Sequence, residues 1–422
     1  MESTVLAILA ALALLTRLGH VLHTMGSVRA RSVAAVAARA AVGTACVVLF
    51  VYLAGRGLSS LNETGSGFSN DAADGRGAGR AEGLGVYFAS PGSYLAILPL
   101  LLLPASLVGG ATAERARVRG QLVILMLITV VALPATVALG WFAFSFADRP
   151  DPTGSYGAAA SFSAVVRVWP VIASLLVAAA AAIAAARCTG PRAGKYNRDG
   201  SANSIPSHSL PLLIAGDALL IFALPLMTAV LAGDVAERLL NALLAASAAS
   251  LCAAGLAWWR SGFIDAALPW LAAIGGSIAG SVSGVESPMV AIALGAVVGV
   301  LVPMLSRKID LRFRIDEPSG LAIPHLLGAL AGLSGAAFAG AREADASFGQ
   351  ALMLTSIALS GGILVSILTL AGTWIVSSLL SRAGWLRVDV ASETEGLDLA
   401  QHDVNAYPDF QQTLIKSYHL RQ

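Results

Sequence analysis

Apolar stretches long enough to cross a bilayer recur along nearly the whole of this 422-residue chain, and no other feature narrows its fold as far. They stand near 4–24, 33–54, 92–112, 121–145, 161–186, 210–232, 236–258, 265–283, 288–306, 323–340 and 350–380. A membrane-crossing helix needs about 20 mostly apolar residues, so these eleven would use about 220. Composition agrees: 56% of the residues are hydrophobic and 12% charged, about half the charged share of a soluble domain. The expectation is an all-α polytopic membrane protein, which excludes a soluble enzyme. A net charge of +2 offers no basic surface for nucleic acid. The pattern holds no nucleophile–base pair, phosphate loop or metal cluster, so neither an enzyme nor a cofactor is expected. Cys46, Cys188 and Cys252 are widely spaced, without metal-ligand spacing.

The first stretch reads as a retained helix, because only Glu2 precedes it and no small-residue cleavage pattern stands before Arg17. The stretch 55–91 is rich in Gly, Ser and Asp and reads as a flexible external loop. The tail, 382–422, reads as a polar segment appended to a transmembrane domain over 1–381. Lys and Arg are retained on the cytoplasmic side. Alternate connectors carry sixteen of them (Arg29/Arg31, Arg115/Arg117/Arg119, Arg187/Arg192/Lys195/Arg198, Arg260, Arg307/Lys308/Arg312/Arg314, Arg382/Arg387) against six in the other set. The asymmetry predicts an N-terminus outside and a cytoplasmic tail, in the cell (inner) membrane. An odd span count makes the second of two five-helix repeats inverted, with a final helix added; sites in such folds lie at the repeat interface near the midplane. Runs such as AAAAIAAA (179–186) and IGGSIAGSVSG (274–284) read as tight helix packing, although a backbone-lined pore uses the same residues.

Several segments together resemble the ammonium transporter/Rhesus protein family. GHVLHTMGSVRARSV (19–33) is similar to the family's spaced glycines followed by Val-Arg, and GGATAER (109–115), with Gly109, Glu114 and Arg115, to its Ser-Gly-Ala-x-Ala-Glu-Arg. GPRAGKYNRDG (190–200) and PSHSLPLLIAGDALLIF (206–222) resemble its Gly-Pro-Arg loop and His-x-Leu-Pro entry to span six, and 275–302 keeps its small residues and Ser-Pro. Most specific are RIDEPSGLAIPHLLGALAG (314–332), with the acidic pair Asp316-Glu317, and GLDLAQHDVNAYP (396–408), with Gly396, Asp398, His402 and Tyr407. The likeness runs from the first span to the tail, with 55–91 the main gap.

The resemblance implies an eleven-helix protomer in a homotrimer, a narrow hydrophobic pore in each subunit, ammonium or ammonia as substrate, lipid around it, and room for a cytoplasmic regulatory protein. It also implies an outer aromatic site and two pore histidines, one from span five and one from span ten. A neutral histidine offers one donor and one acceptor and titrates near physiological pH. His325 falls at the span-ten position. The span-five histidine is missing: 161–186 has none, and the family position falls on Trp169 or Leu175. Ser161-Phe162 stands in for the family's Asp-Phe. In span six, IFALPLMTAVL (221–231), which includes Phe222, replaces an aromatic- and glycine-rich run. The recruitment tryptophan of span four aligns with Gly140, beside Trp141. The pore candidates are thus His325, Trp141, Phe162, Trp169 and Phe222.

Other residues read more plainly. His20 and His23 share a helix face and are too few for a metal site, so packing is expected. His208 looks structural, and His402 lies where the family's tail contacts neighbouring subunits. Arg167 reads either as snorkelling to the interface or as a charge that repels cations. Arg17 and Asp217 are unusual intramembrane charges, and a pairing between them is open. Departures gather on the pore while the connectors keep the family's pattern. Three readings follow: an ammonium or ammonia transporter, a non-transporting sensor or modulatory paralogue, and a pore for another small neutral solute such as methylamine or carbon dioxide.

Overall fold

Lipid offers no hydrogen-bond partners, so a backbone that crosses it must satisfy itself as a helix. The computed structural model describes residues 3–64, 91–147, 162–199, 201–284 and 287–408, and nearly all of them obey that rule. The first span joins α1 (Ser3–Ala13) to α2 (Leu15–Ser27), and α3 (Val33–Thr64) and α4 (Pro91–Ala111) follow. The fourth combines α5 (Val118–Leu127), a π turn (Ile128–Ala132) and α6 (Leu133–Ala147). Then come α7 (Ser163–Thr189), α8 (Leu210–Ala232), α9 (Val235–Ser261), α10 (Leu268–Ser283), α11 (Pro288–Phe313), α12 (Ala322–Glu343) and α13 (Phe348–Arg382). Two short helices, α14 (Val390–Glu395) and α15 (Leu397–His402), belong to the tail. Among the described residues, ten spans are long and apolar enough to cross a membrane, and α10 is a shorter apolar helix. Among the described residues there are no strands, only two isolated bridges, Ala116 with Arg387 and Tyr196 with Ala202.

The stretch 55–91 does not begin as a loop, because α3 continues to Thr64. Polar composition says which solvent a segment meets, but each residue added to an existing helix gains a hydrogen bond whether or not lipid surrounds it. Residues 65–90 lie outside the described set.

The core is built around α7, in which every residue from Val168 to Ala186 is buried. Its alanines bring neighbours close, and its few polar atoms have assigned partners. Pro104 inside α4 has no N–H to give the carbonyl of Leu100 four residues earlier. Ser174 Oγ of α7 donates to that carbonyl instead, at 2.6 Å.

α2 and α8 meet backbone to backbone. A Cβ at Gly216 would lie 2.4 Å from His23 N, and one at Gly26 would lie 2.5 Å from Leu213 N. Small residues at such crossings allow contact that lipid-facing burial alone would not drive. That contact brings Asp217, which follows Gly216, onto His23 of α2.

Candidate functional site: a buried histidine pair

His20 on α2 and His325 on α12 meet in the interior, 1% and 0% exposed. Their Nε2 atoms are 3.0 Å apart and their ring centroids 5.0 Å apart. Both use their other nitrogen in the same way. His20 Nδ1 lies 2.6 Å from Thr16 O, and His325 Nδ1 lies 2.7 Å from Leu321 O, each one helical turn back. A carbonyl can only accept, so each Nδ1 carries the proton. A neutral imidazole has one N–H, which leaves each Nε2 a bare acceptor. Two lone pairs that face each other cannot bond; a proton between them turns the contact into N–H···N. The pair is therefore a receptor for one proton, or for a small N–H donor beside it.

One turn along α2, His23 makes a second buried arrangement. Its Nε2 lies 2.7 Å from Ser319 O, and its Nδ1 lies 2.5 Å from Asp217 Oδ1 of α8. The Ser319 carbonyl can only accept, so His23 Nε2 donates to it, and a proton on Nδ1 is what a bond to the Asp217 carboxylate requires. Asp217 is fully buried, and its Oδ2 has no hydrogen-bond partner. The Gly216–His23 backbone contact is what lets Asp217 reach His23. Arg17 does not pair with Asp217. It donates to Thr44 Oγ1 at 3.0 Å, Ser106 Oγ at 3.0 Å and Ala40 O at 2.9 Å.

The loop before α12 sets His325 in place. Glu317 Oε1 accepts from Ala322 N at 2.9 Å and Ser319 Oγ at 3.1 Å, capping the first turn of the helix. Burial pushes the Glu317 carboxyl above its ordinary range. Asp316 beside it anchors the connectors. Arg192 grips it with Nε and Nη2, both at 2.9 Å, and the fully buried Arg115 donates to its carbonyl at 2.6 Å. Burial alone would raise the Asp316 carboxyl, but the Arg192 bonds and the Arg115 charge outweigh it and hold the group at about 2. Glu114 accepts from Arg192 Nη1 at 2.9 Å and pairs with Arg29. Gly109 leaves room for the Gln121 amide, which a Cβ there would meet at 3.2 Å.

The tail closes over this network. Glu393, 2% exposed, accepts from Ala193 N at 2.6 Å and Arg387 at 2.8 Å. Gly396 has φ +114°, and a Cβ there would stand 2.6 Å from Arg31 Cβ. Asp398 accepts from Ala35 N at 2.7 Å in the first turn of α3, where free N–H groups and the helix dipole favour a carboxylate. His208 Nδ1 donates to Val28 O at 3.0 Å, so its Nε2 accepts from Tyr407 OH at 2.8 Å. His402 is half-buried, and its Nε2 has no partner.

The aromatic candidates separate. Phe162 and Trp169 on α7 are 3% and 2% exposed. Trp169 Nε1 donates to Thr136 O at 3.3 Å, and its indole fills the space beside Gly140. Phe222 does not join them. It is 54% exposed, and five residues past Asp217 puts it roughly 140° around α8 from the face that meets α2. Trp141 lies in α6, but its side chain is outside the described residues, as is Ser161. Arg167 is 57% exposed, with Glu343 of α12 3.8 Å away. Among the described residues, no three His, Cys, Asp or Glu come together to hold a metal ion.

Sequence reasoning missed His20 as a partner for His325. A signal was present: span one carries two histidines, whereas 161–186 carries none. The spacing rule showed only that His20 shares a face with His23, not which helix that face meets.

Comparison with known proteins agrees with this architecture. A family model described as the Ammonium Transporter Family matches residues 4–407. Ammonium transporter Amt2 of Haloferax mediterranei is 28% identical over 328 residues, which covers 72% of this chain and 68% of that protein. Ammonium transporter Amt1 of Archaeoglobus fulgidus is 32% identical over 241 residues, or 54% and 58% of the two chains. A solved structure described as "Sensor Amt Protein" superposes with a TM-score of 0.72 at 22% identity, covering 94% of this chain and 97% of that one.

Proposed function

The chain belongs to the Ammonium Transporter Family, and on that premise we propose that it moves ammonium or ammonia across the membrane, with the His20–His325 pair as the point that takes up a proton. The family is one of transporters, not of enzymes. The observation that carries the reading is the pair of Nε2 acceptors 3.0 Å apart. Ammonium reaches such a pair as an N–H donor, and ammonia keeps N–H groups after a proton is handed over. Carbon dioxide has no donor to offer, so the pair favours ammonia over that solute.

Charge decides the form that crosses. A bare cation in a low-dielectric interior costs several kcal/mol even after relaxation, and Arg17 already stands one turn before His20 on α2. Neutral ammonia passing the pair while the proton is held on imidazole avoids that cost. His23 and Asp217, one turn further along, form the next proton-holding unit toward the tail side. At the other end of α7, Phe162, Trp169 and the neighbouring Trp141 are the residues we assign to the entry. The excess of Lys and Arg in alternate connectors supports a cytoplasmic tail, and the family resemblance supports a homotrimer whose connectors and tail receive a cytoplasmic regulatory protein.

The test is an ammonium jump on proteoliposomes, with current and internal pH recorded together. A saturable response in the wild type, cut at least tenfold in both His20→Ala and His325→Ala, supports the reading. Equal flux in the wild type and in either variant sinks the assignment of the pair.

A further inference from the structure

Beside His20, on the flank turned away from α8, lies a cavity of about 40 Å³ between α2, α3, α4 and α5. One water needs roughly 10–15 Å³ on this measure, so the space takes roughly three or four water-sized species. Arg17, Arg39, Thr24, Ser106 and Gln121 line it along with His20, and no Asp or Glu does.

The two arginines are not neutralised where they stand. Arg17 spends three N–H groups on Thr44, Ser106 and the Ala40 carbonyl, which leaves two of its five. Among the described residues, no carboxylate lies within ion-pair distance of either guanidinium; every ion pair falls elsewhere. Arg39 is 8% exposed and gives Nη2 to Gln401 Oε1 at 2.8 Å. Its Nε is buried with no partner. Asp398 acts on Arg39 from the tail side, but its bonded oxygen is spent on Ala35 N. Two cations against one carboxylate leave one positive charge at the cavity. Buried charges are ordinarily paired, because an isolated one inside lipid carries a penalty of several kcal/mol.

We propose that this cavity is a binding site for one small monovalent anion of halide size, held by Arg17 and Arg39. Each part of the lining fits that ligand. The guanidinium groups supply charge-assisted N–H donors, the Gln121 amide adds a donor that Gly109 makes room for, and one negative charge matches the uncompensated positive one. A second cation is refused for the same reason, so this is not a place where ammonium rests. The volume admits a halide with a water and excludes a lipid headgroup or a dicarboxylate. If the histidine pair acts as proposed above, an anion here would offset Arg17 and ease the uptake of a proton on His20. That consequence rests on the transport reading, whereas the site does not.

The experiment is crystallography of the full chain in bromide, read by anomalous scattering, alongside bromide titration of the detergent-purified protein. One anomalous peak within hydrogen-bond reach of Arg17 or Arg39, with saturable binding weakened at least tenfold in Arg17→Gln and in Gln121→Leu, supports the site. Gln121→Leu leaves both arginines in place and guards against a variant that fails to insert. A wild-type cavity with no anomalous peak, or binding that neither substitution changes, overturns the proposal, whatever the transport assays show.

Discussion

The Trp169 indole of span five occupies the volume that Gly140 of span four leaves empty: a Cβ on Gly140 would fall 1.9 Å from Trp169 Nε1. The two positions are thus matched by shape, a large side chain against none, and the indole N–H closes the arrangement on Thr136 O. Adding one methyl group at Gly140 must displace a ring that is 2% exposed. Gly140→Ala is expected to destabilise the fold by about 1–3 kcal/mol, the usual cost of overpacking a filled core. Trp169→Leu in the same chain should recover most of that loss. Thermal unfolding in detergent, run as a double-mutant cycle, measures the coupling; additive effects would show that the two do not share space.

Ser174 is expected to be worth more than a surface serine. Its hydroxyl is the partner of the Leu100 carbonyl that Pro104 leaves without an N–H. Ser174→Ala strands a buried acceptor and should cost about 1–3 kcal/mol. Ser174→Ala combined with Pro104→Ala restores the helix's own bond and should cost less than Ser174→Ala alone. The unfolding midpoints of the three variants decide the matter.

Acid should act on the connectors through Asp316. Its carboxyl is held at about 2 in the fold against an ordinary 3.8, because the Arg192 bonds and the Arg115 charge overcome the upward push of burial. A depressed carboxyl adds stability that is complete above about pH 4 and is lost as the pH falls toward 2. At about 1.4 kcal/mol per pH unit, the contribution is about 2 kcal/mol. Glu317, raised by burial, has the opposite sign: its contribution is present at low pH and is lost as the pH rises through its folded value. Asp316→Asn should therefore lower the unfolding temperature at pH 7 and flatten its decline below pH 4. An unchanged acid limb in that variant would rule Asp316 out as its source.

The tail's seat depends on a residue without a side chain. Gly396 has a left-handed φ and lies against Arg31, so Gly396→Ala adds both strain and a clash. Release of α15 from the start of α3 is expected, with faster proteolytic cleavage after residue 390 than in the wild type. Asp398→Ala removes the bond to Ala35 N and should cost about 1 kcal/mol, as loss of an N-cap does. Equal cleavage rates in wild type and Gly396→Ala would contradict this account.

The fold is most legible in the sequence where one physical rule acts alone. Lipid forces apolar stretches into helices, so the spans stood out from Ala7–Ser27 to Phe348–Arg382. The end of α3 was missed because polar composition marks the solvent, not the end of the backbone hydrogen bonds. Within the site, His325 could be found because it follows an acidic pair in a run resembling a known family. His20 could not, since pairing across 305 residues depends on how α2 and α12 cross. Phe222 was placed with the pore by its neighbours in sequence, and its position around α8 put it on the outside. Arg17 was recognised as unusual, but its partners, Thr44 and Ser106, are neutral and carry no charge signal to search for.

The bond from Asp398 to Ala35 joins residues 363 apart in the chain, and this has a bearing on how the protein is made. A ribosome adding about 5–20 residues per second needs on the order of twenty to seventy seconds to get from one to the other. During that interval the second span is already in the membrane while the first turn of α3 still lacks its carboxylate. Translation that stops short of residue 398 leaves the earliest-made connector open, so a cell's quality-control proteases could tell an unfinished chain from a finished one at its oldest loop.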